Sequence, residues 1–296
     1  MKSRGRAEAL ILLVAAIWGF GFVAQCAAMK DMAPFAFNAI RFALGALSLV
    51  PVLLLFRPQH HAPARVRLAL GGGVGLVLFA AASLQQVGMT GADATTAGKA
   101  GFITALYVVI VPLLGFVLGQ RIGIGAVAGV VLAVVGMFLL TVKPNFSIGM
   151  GDLVVLIGAL FWAVHVQMID RFTARVATLE LACIQSAVCA LLSGIVSLCI
   201  EHTTAQEVRL ALVPVLYAGV VSVGIAYTLQ VVGQKHVPPT HAAILLSMES
   251  AFAAFGGWLL LSEHLSLRAG VGCALMLAGM IVAQVWHPAT KAEQSA

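Results

Sequence analysis

The sequence is a succession of apolar runs, each about as long as a helix must be to cross a bilayer, joined by short polar segments. A hydrocarbon core about 30 Å thick is crossed by roughly 20 apolar residues of helix. Charged, proline and glycine-rich breaks cut the chain into ten such runs, near residues 7–28, 33–56, 66–88, 93–118, 121–142, 151–170, 177–200, 210–233, 238–261 and 266–286. The runs are continuous rather than alternating, which argues against the strands of a membrane barrel. Of 296 residues, 61% are hydrophobic and only 9% charged, and the mean hydropathy is +1.04. A soluble protein carries roughly 25% charged residues to cover its surface. The expected class is therefore an all-α integral membrane protein with ten transmembrane helices and little chain left for a soluble domain.

Basic residues in short loops set orientation. With the N-terminus inside, Lys2, Arg4, Arg6, Arg57, Arg65, Arg67, Arg121, Arg171, Arg175, Lys235 and Lys291 fall on the cytoplasmic side. Lys30, Lys143, Arg209 and Arg268 fall outside. The excess predicts a multi-pass protein of the inner (cell) membrane with both termini cytoplasmic. The basic residues before the first run resemble a signal peptide, but no clear cleavage site and polar mature domain follow, so the run reads as the first spanning helix. The net charge of +6 comes from these loops. It forms no basic stripe with interleaved aromatics, so no nucleic-acid partner is expected. Cys26, Cys183, Cys189, Cys199 and Cys273 lie in apolar runs without a CxxC pair, and read as small hydrophobes. No cofactor or metal is expected, and the sequence is silent on oligomeric state.

The segment Ala97-Gly98-Lys99-Ala100-Gly101 resembles a phosphate loop only superficially. Asp93 stands where that loop needs its first glycine, and Ala100 stands where it needs a serine or threonine. Lys99 is thus to be understood as a cation in a membrane helix.

Four segments recur in one order. AAIWGFGFVAQ around Trp18 matches ALFWAVHVQM around Trp162 at an offset of 144, and PFAFNAIRFALGAL from Pro34 matches TLELACIQSAVCAL from Thr178 at the same offset. SLQQVG ending at Gly88 matches TLQVVG ending at Gly233 at 145, and GVVLAVVGM from Gly129 matches GCALMLAGM from Gly272 at 143. Each half, residues 1–145 and 146–296, holds five runs. An odd number makes the second half enter from the opposite side, giving two inverted five-helix repeats around a central cavity. Secondary transporters are often built this way, with substrate near the midplane.

The two five-run halves, Trp18-Gly19, the spacing from Pro34 to Arg41 and AGFITALYVVIVPLLG in the fourth run together resemble the drug/metabolite transporter superfamily, in its ten-helix EamA-type group. Among its members the chain is similar to amino-acid exporters of the YddG kind. The resemblance implies export of small metabolites across the cytoplasmic membrane. The halves differ in charge, since Gln185 stands at the position of Arg41 and Ile244 at that of Lys99, so a site using these charges is not duplicated.

Ionisable groups at bilayer depth cost about 2.5–3.5 kcal/mol each on insertion scales and normally face a cavity or a partner. Lys99 lies roughly 9 Å into the fourth run at 1.5 Å per residue, on an arc with Thr95, Thr96, Ile103 and Tyr107. Ala94, Gly98, Gly101 and Ala105 form a separate packing arc. Lys99 either lines the outer cavity and attracts a carboxylate or snorkels to the interface. Arg41 lies roughly 10 Å into the second run, as a cavity cation or a structural anchor. Glu249 lies roughly 16 Å into the ninth run, beside small residues, as a proton carrier or a hydrogen-bonded neutral acid. Lys99 and Glu249 are also candidates to pair. Trp18, with Phe22 and Gln25 on its face, and Trp162, with His165, fall near the midplane as a cavity wall or as packing. Gln85, Gln86, Tyr227 and Gln230 add polar groups. Pro112 with Gly115, and Gly256-Gly257, are candidate kinks.

The expected function is a secondary transporter of small metabolites, with amino acids favoured and bound solute between the halves. Substrate contacts fall to Lys99, Trp18, Trp162, Tyr107, His165, Gln25, Gln85 and Tyr227, and coupling or gating to Glu249, Arg41 and Pro112. The alternative is a multidrug exporter taking cationic compounds on Glu249. An enzyme is disfavoured: there is no HExxH, Glu263-His264 lacks the second spaced histidine, and Asp31, Asp93, Asp152 and Asp170 sit at loops or helix ends. A receptor would carry a soluble signalling domain, for which the loops are too short.

Overall fold

The structure, a computed structural model, describes residues 2–56, 62–91, 93–95, 97–120, 122–142, 148–261 and 266–286. Arg57, Arg121, Lys143 and Lys291 of the orientation argument lie outside the described residues, as do Thr96 and Glu263-His264.

Every regular element among the described residues is helical. The chain opens with α1 (Lys2–Ala28), α2 (Pro34–Phe56) and α3 (Ala64–Gly88). Then follow α4 (Ala97–Ala105), α5 (Tyr107–Val117) and α6 (Ile124–Thr141). After the central loop come α7 (Met150–Phe172), α8 (Thr178–Ile200), the short α9 (Ala205–Leu210) and α10 (Leu212–Leu216). Tyr217–Tyr227 is wound as a π-helix and continues into α11 (Thr228–Gln234); α12 (Pro239–Ser247), α13 (Glu249–Leu261) and α14 (Leu267–Val285) complete the order. Among the described residues, seven helical stretches are long and apolar enough to cross a membrane: 4–28, 34–55, 64–88, 97–117, 150–172, 178–200 and 212–234. Two shorter apolar helices, Ile124–Leu140 and Leu267–Ala283, accompany them.

The side chains sort as a bilayer demands. Leu54, Leu55, Phe116, Val117 and Leu198 project outward, 70–88% exposed, whereas every residue of α12 is buried. Ion pairs sit toward the two ends of the bundle. At the end carrying Arg4, Arg67 Nε pairs with Glu180 Oε1 at 3.1 Å, joining the starts of α3 and α8. At the opposite end, the Glu201 carboxylate accepts from the backbone N–H groups of Phe35 and Ala36 at 3.0 and 2.8 Å.

Three departures from the sequence expectation have local causes. The fourth run becomes helical only at Ala97, because the loop before it is held by Thr95 N–H donating to Gly88 O at 2.8 Å. Gly98 therefore packs on nothing, while Gly101 lies against Phe22 at ordinary contact distance. The short α9 is set by Thr204, whose hydroxyl accepts from Glu207 N–H while Glu207 accepts from Thr204 N–H, a capping box. The eighth run holds the π-helical stretch, longer than the usual single-turn bulge. The run's glycines sit hard against α2, where a Cβ on Gly219 would meet Leu44 Cβ at 2.7 Å.

The tightest crossing joins α6 to α14. A Cβ on Gly136 would stand 2.5 Å from Gly272 O, and one on Gly272 would stand 2.5 Å from Gly136 O. Gly129 and Gly279 oppose each other in the same reciprocal way, at 2.7 Å. Lipid supplies no hydrophobic drive between helices, so close backbone approach through small residues is what holds such a pair. Gly136→Val and Gly272→Val should each cost about 1–3 kcal/mol of overpacking and lower the thermal midpoint in detergent by several degrees. Gly270→Ala, which meets nothing within 4 Å, should leave that midpoint unchanged.

Candidate functional site

The polar and aromatic residues of the bundle's middle converge on one narrow cavity, in which about 40 Å³ is open to a water-sized molecule. From α1 come Trp18, Phe22 and Gln25, whose i, i+4, i+7 spacing puts them on one helix face. Arg41 enters from α2 and Gln85 from α3, while α7 supplies Trp162 and Val166. Ser222, Tyr227 and Gln230 close the wall from the eighth run.

The last contributors flank two matching interruptions. Between α4 and α5 the helix is broken only at Leu106, with φ −60° and ψ −13°. Between α12 and α13 it is broken only at Met248, with φ −60° and ψ −14°. Both residues close a tightened turn: Leu106 N–H donates to Ile103 O and Met248 N–H to Leu245 O, each at 3.2 Å. The residues just after the breaks, Tyr107 and Glu249, both face the cavity, and the Tyr107 hydroxyl lies beside the Glu249 carboxylate. It stops short of hydrogen-bond geometry, so the Tyr107 hydroxyl and Glu249 Oε1 are both buried without a partner.

An aromatic cluster forms one wall. The Tyr227 ring is 4.8 Å from Trp18, 6.2 Å from Trp162 and 5.9 Å from Phe42, and the two tryptophans are 6.5 Å apart. Each indole is aimed by a hydrogen bond: Trp18 Nε1 donates to Ser222 O at 3.2 Å, and Trp162 Nε1 to Gln85 Oε1 at 3.0 Å. Gln85 organises the neighbourhood further. Its Nε2 donates to Gln25 Oε1 at 3.0 Å, and Gln25 in turn donates to Gly21 O at 3.3 Å.

Two charges complete the lining. Arg41 is 3% exposed, and its guanidinium stands over the rings of Phe37 and Phe42 at 5.1 and 4.9 Å. Its Nε has no hydrogen-bond partner, and no carboxylate among the described residues lies within ion-pair distance of it. Glu249 is likewise 3% exposed and pairs with no cation among the described residues.

The structure thus gathers Trp18, Gln25, Arg41, Gln85, Tyr107, Trp162, Tyr227 and Glu249 on one cavity. Lys99, His165 and Pro112 lie elsewhere. Lys99 Nζ donates to Asp152 Oδ2 at 2.9 Å across α4 and α7, so its carboxylate partner is Asp152 and not Glu249. His165 sits behind Trp162, edge-on to that ring at 5.7 Å, with Nε2 2.9 Å from Gln185 Oε1. Pro112 is buried within α5. The interruption falls six residues earlier, at Leu106, and in the ninth run it falls at Met248 rather than at Gly256-Gly257. Beside Pro112, Gln167 Nε2 donates to Val111 O at 2.9 Å, supplying a polar partner to the backbone there. Thr104, Ser222, Val166 and Leu246 also line the cavity without having stood out in the sequence. Val166 was findable from its i+4 spacing to Trp162.

A bundle of apolar helices around a buried polar and aromatic cavity is the build of a membrane transporter. The chain matches the model of the EamA-like transporter family twice, over residues 5–142 and 149–284. It belongs to the EamA-like transporter family. An uncharacterised transporter of Archaeoglobus fulgidus is 30% identical over 292 residues, covering 95% of this chain and 89% of that one. The uncharacterised transporter YoaV of Bacillus subtilis is 21% identical over 282 residues, covering 92% and 94%. One solved structure, described only as a protein crystal structure, shares the fold with a TM-score of 0.76 at 20% identity, over 95% and 97% of the two chains.

Gln85→Leu removes the acceptor of the Trp162 indole and the donor to Gln25. Stranding these buried groups should cost about 1–3 kcal/mol. The loss should be read as a lower thermal midpoint in detergent and a red-shifted tryptophan fluorescence.

Proposed function

We propose that the protein is a secondary transporter that exports small metabolites, above all amino acids, without ATP, by alternating access between inverted five-helix halves, residues 1–145 and 146–296. The observation that carries this is the cavity, which lies where both interrupted helices meet and is lined from both halves. Broken helices bracketing a midplane site are a recurring feature of such carriers.

Several correspondences support a two-fold relation between the halves. Helices α4 and α12 both span nine residues, and their breaks at Leu106 and Met248 are 142 positions apart. Gly129 and Gly136 on α6 correspond at 143 to Gly272 and Gly279 on α14, and they meet reciprocally. Packing partners exchange in the same sense: α1 lies against α12 and α13 as α7 lies against α4 and α5, and α2 lies against the π-helical stretch as α8 lies against α3. Gly88 packs on Gly151 of α7 as Gly233 packs on Ala7 and Ile11 of α1.

The relation extends to charged latches at the two ends. Lys99, third residue of α4, bonds Asp152, third residue of α7. At the other end His241, third residue of α12, has its Nδ1 3.2 Å from Arg4 Nη2, and Arg4 pairs with Glu8 at 3.0 Å. Lys99 and His241 differ by 142, and Glu8 and Asp152 by 144. With both termini in the cytoplasm, as the loop charges favour, the Lys99–Asp152 pair is the outer latch and the Arg4–His241 contact the inner one. Opening them in turn is alternating access in its simplest form.

A carrier of purely cationic drugs would use Glu249 alone. Arg41 in the same cavity weighs against it, because a guanidinium remains charged at any ordinary pH and repels such a cargo.

Proteoliposomes holding the protein should exchange labelled amino acids faster than protein-free vesicles, with no nucleotide present. No flux for any amino acid or other small metabolite would sink the proposal. For the latch, Asp152→Asn is introduced into protein whose only cysteine is Cys26, a half-buried residue packed beside Phe22, Met89 and Ala100. Its labelling by a membrane-impermeant maleimide should speed up several-fold, and an unchanged rate would remove the latch from the mechanism.

A further inference from the structure

We infer that the cargo is a zwitterion read by two opposite poles of the cavity, its carboxylate taken by Arg41 and its ammonium by Glu249. This rests on reading the central cavity as the transport site.

Arg41 and Glu249 are both nine-tenths or more buried and both line the same space. They do not pair with each other, and among the described residues neither has an ion-pair partner. That arrangement is unusual, because a buried charge is costly unless it is paired and hydrogen-bonded. Elsewhere in the bundle the rule is kept: Lys99 has Asp152, Arg67 has Glu180 and Arg4 has Glu8. Of the three Lys, Arg, Asp and Glu side chains that are buried among the described residues, Asp152 is paired with Lys99, and the two without an ion-pair partner, Arg41 and Glu249, both face the cavity.

Their surroundings explain why they stay apart. Arg41 rests on Phe37 and Phe42, which soften its desolvation through their ring faces but accept none of its N–H groups. The Phe42 ring leads to Tyr227 and Tyr227 to Trp18. Beside Trp18, Gly19 is in close backbone contact with Glu249. Tyr227, in the middle of that aromatic row, lies within electrostatic reach of both charges. Glu249 is also the first residue of α13, where the helix dipole favours a carboxylate.

An occupant that completes both charges must itself carry one anionic and one cationic group, with an apolar or flat body for the row between. A guanidinium offers a planar fork that matches a carboxylate. The Glu249 carboxylate, with Oε1 unpartnered, accepts from an ammonium. An acid lacking the ammonium leaves Glu249 facing like charge or nothing, and an amine lacking the carboxylate does the same to Arg41. Discrimination against analogues that leave a buried polar group unpaired is where proteins are most selective.

The test uses matched triples on the full-length protein in detergent, read by thermal stabilisation and tryptophan quenching. One triple is phenylalanine, phenethylamine and 3-phenylpropionate; a second is 5-aminovalerate, pentylamine and valerate. A zwitterion should bind at least about tenfold more tightly than either of its singly charged partners, the increment of one charge-assisted contact. Arg41→Gln should erase the advantage over the amine alone, and Glu249→Gln the advantage over the acid alone. Arg41→Lys, keeping the charge, should restore part of the first advantage and serves as the control for folding. Equal binding of amine and zwitterion, or of acid and zwitterion, would overturn the inference, as would failure of every member of both triples to bind. Vesicle flux separates this from the transport proposal: flux of a singly charged solute alone leaves transport standing and removes the zwitterion, whereas zwitterion binding without any flux does the reverse.

Discussion

Lipid offers no hydrogen bond, and this constraint governs the rest of the molecule. Each spanning segment must satisfy its own backbone by coiling, so irregular backbone survives only where protein or a cavity surrounds it. The two interruptions obey that limit. Leu106 and Met248 lie in the middle of the bundle, and Met248 is 4% exposed. α12 has no exposed residue at all. The tightened turns at Leu106 and Met248 keep their backbone hydrogen bonds, and they set Tyr107 and Glu249 on one cavity.

The same constraint explains what was legible in the sequence. Apolar runs are written in composition, and the helices follow them closely, as in 178–200 for α8 and 34–56 for α2. Residues that are costly in lipid are equally conspicuous, and Arg41, Glu249, Trp18 and Trp162 do meet. Illegible were the features decided by geometry between runs. The break falls at Leu106 and not at Pro112, which lies inside the continuous helix α5. The partner of Lys99 was hidden because Asp152 reads as an ordinary residue of a helix's first turn, and only packing of α4 on α7 brings it within 2.9 Å. The π-helical stretch has no sequence signature beyond glycines that press on α2.

Glycine pairs convert the recurrence in sequence into contact. Gly129 and Gly136 oppose Gly279 and Gly272 with matching distances in both directions, in keeping with the proposed two-fold relation. Helices held by backbone contact and not by interlocked side chains present smooth surfaces to each other. The aromatic cluster is the opposite kind of object, with each indole pinned by a hydrogen bond. The bundle thus combines a hydrogen-bonded aromatic centre with crossings whose closeness depends on the absence of side chains.

The halves match in frame and differ in charge, and the difference is concentrated at the cavity. Arg41 on α2 and Gln185 on α8 occupy corresponding positions, 144 residues apart. Gln185 is fully buried and its Oε1 is taken by His165, so that copy is closed within the protein. Arg41 has no such partner, and no histidine stands at Gly21, the residue that corresponds to His165. After the breaks, Tyr107 and Glu249 correspond as well, one neutral and one acidic. A symmetric pair of sites would need each group twice. Instead one half supplies the cation and the other the anion, each facing a position where its counterpart is neutral. Under the proposed mechanism, a single dipolar site would bind its cargo in one orientation whichever end of the bundle is open.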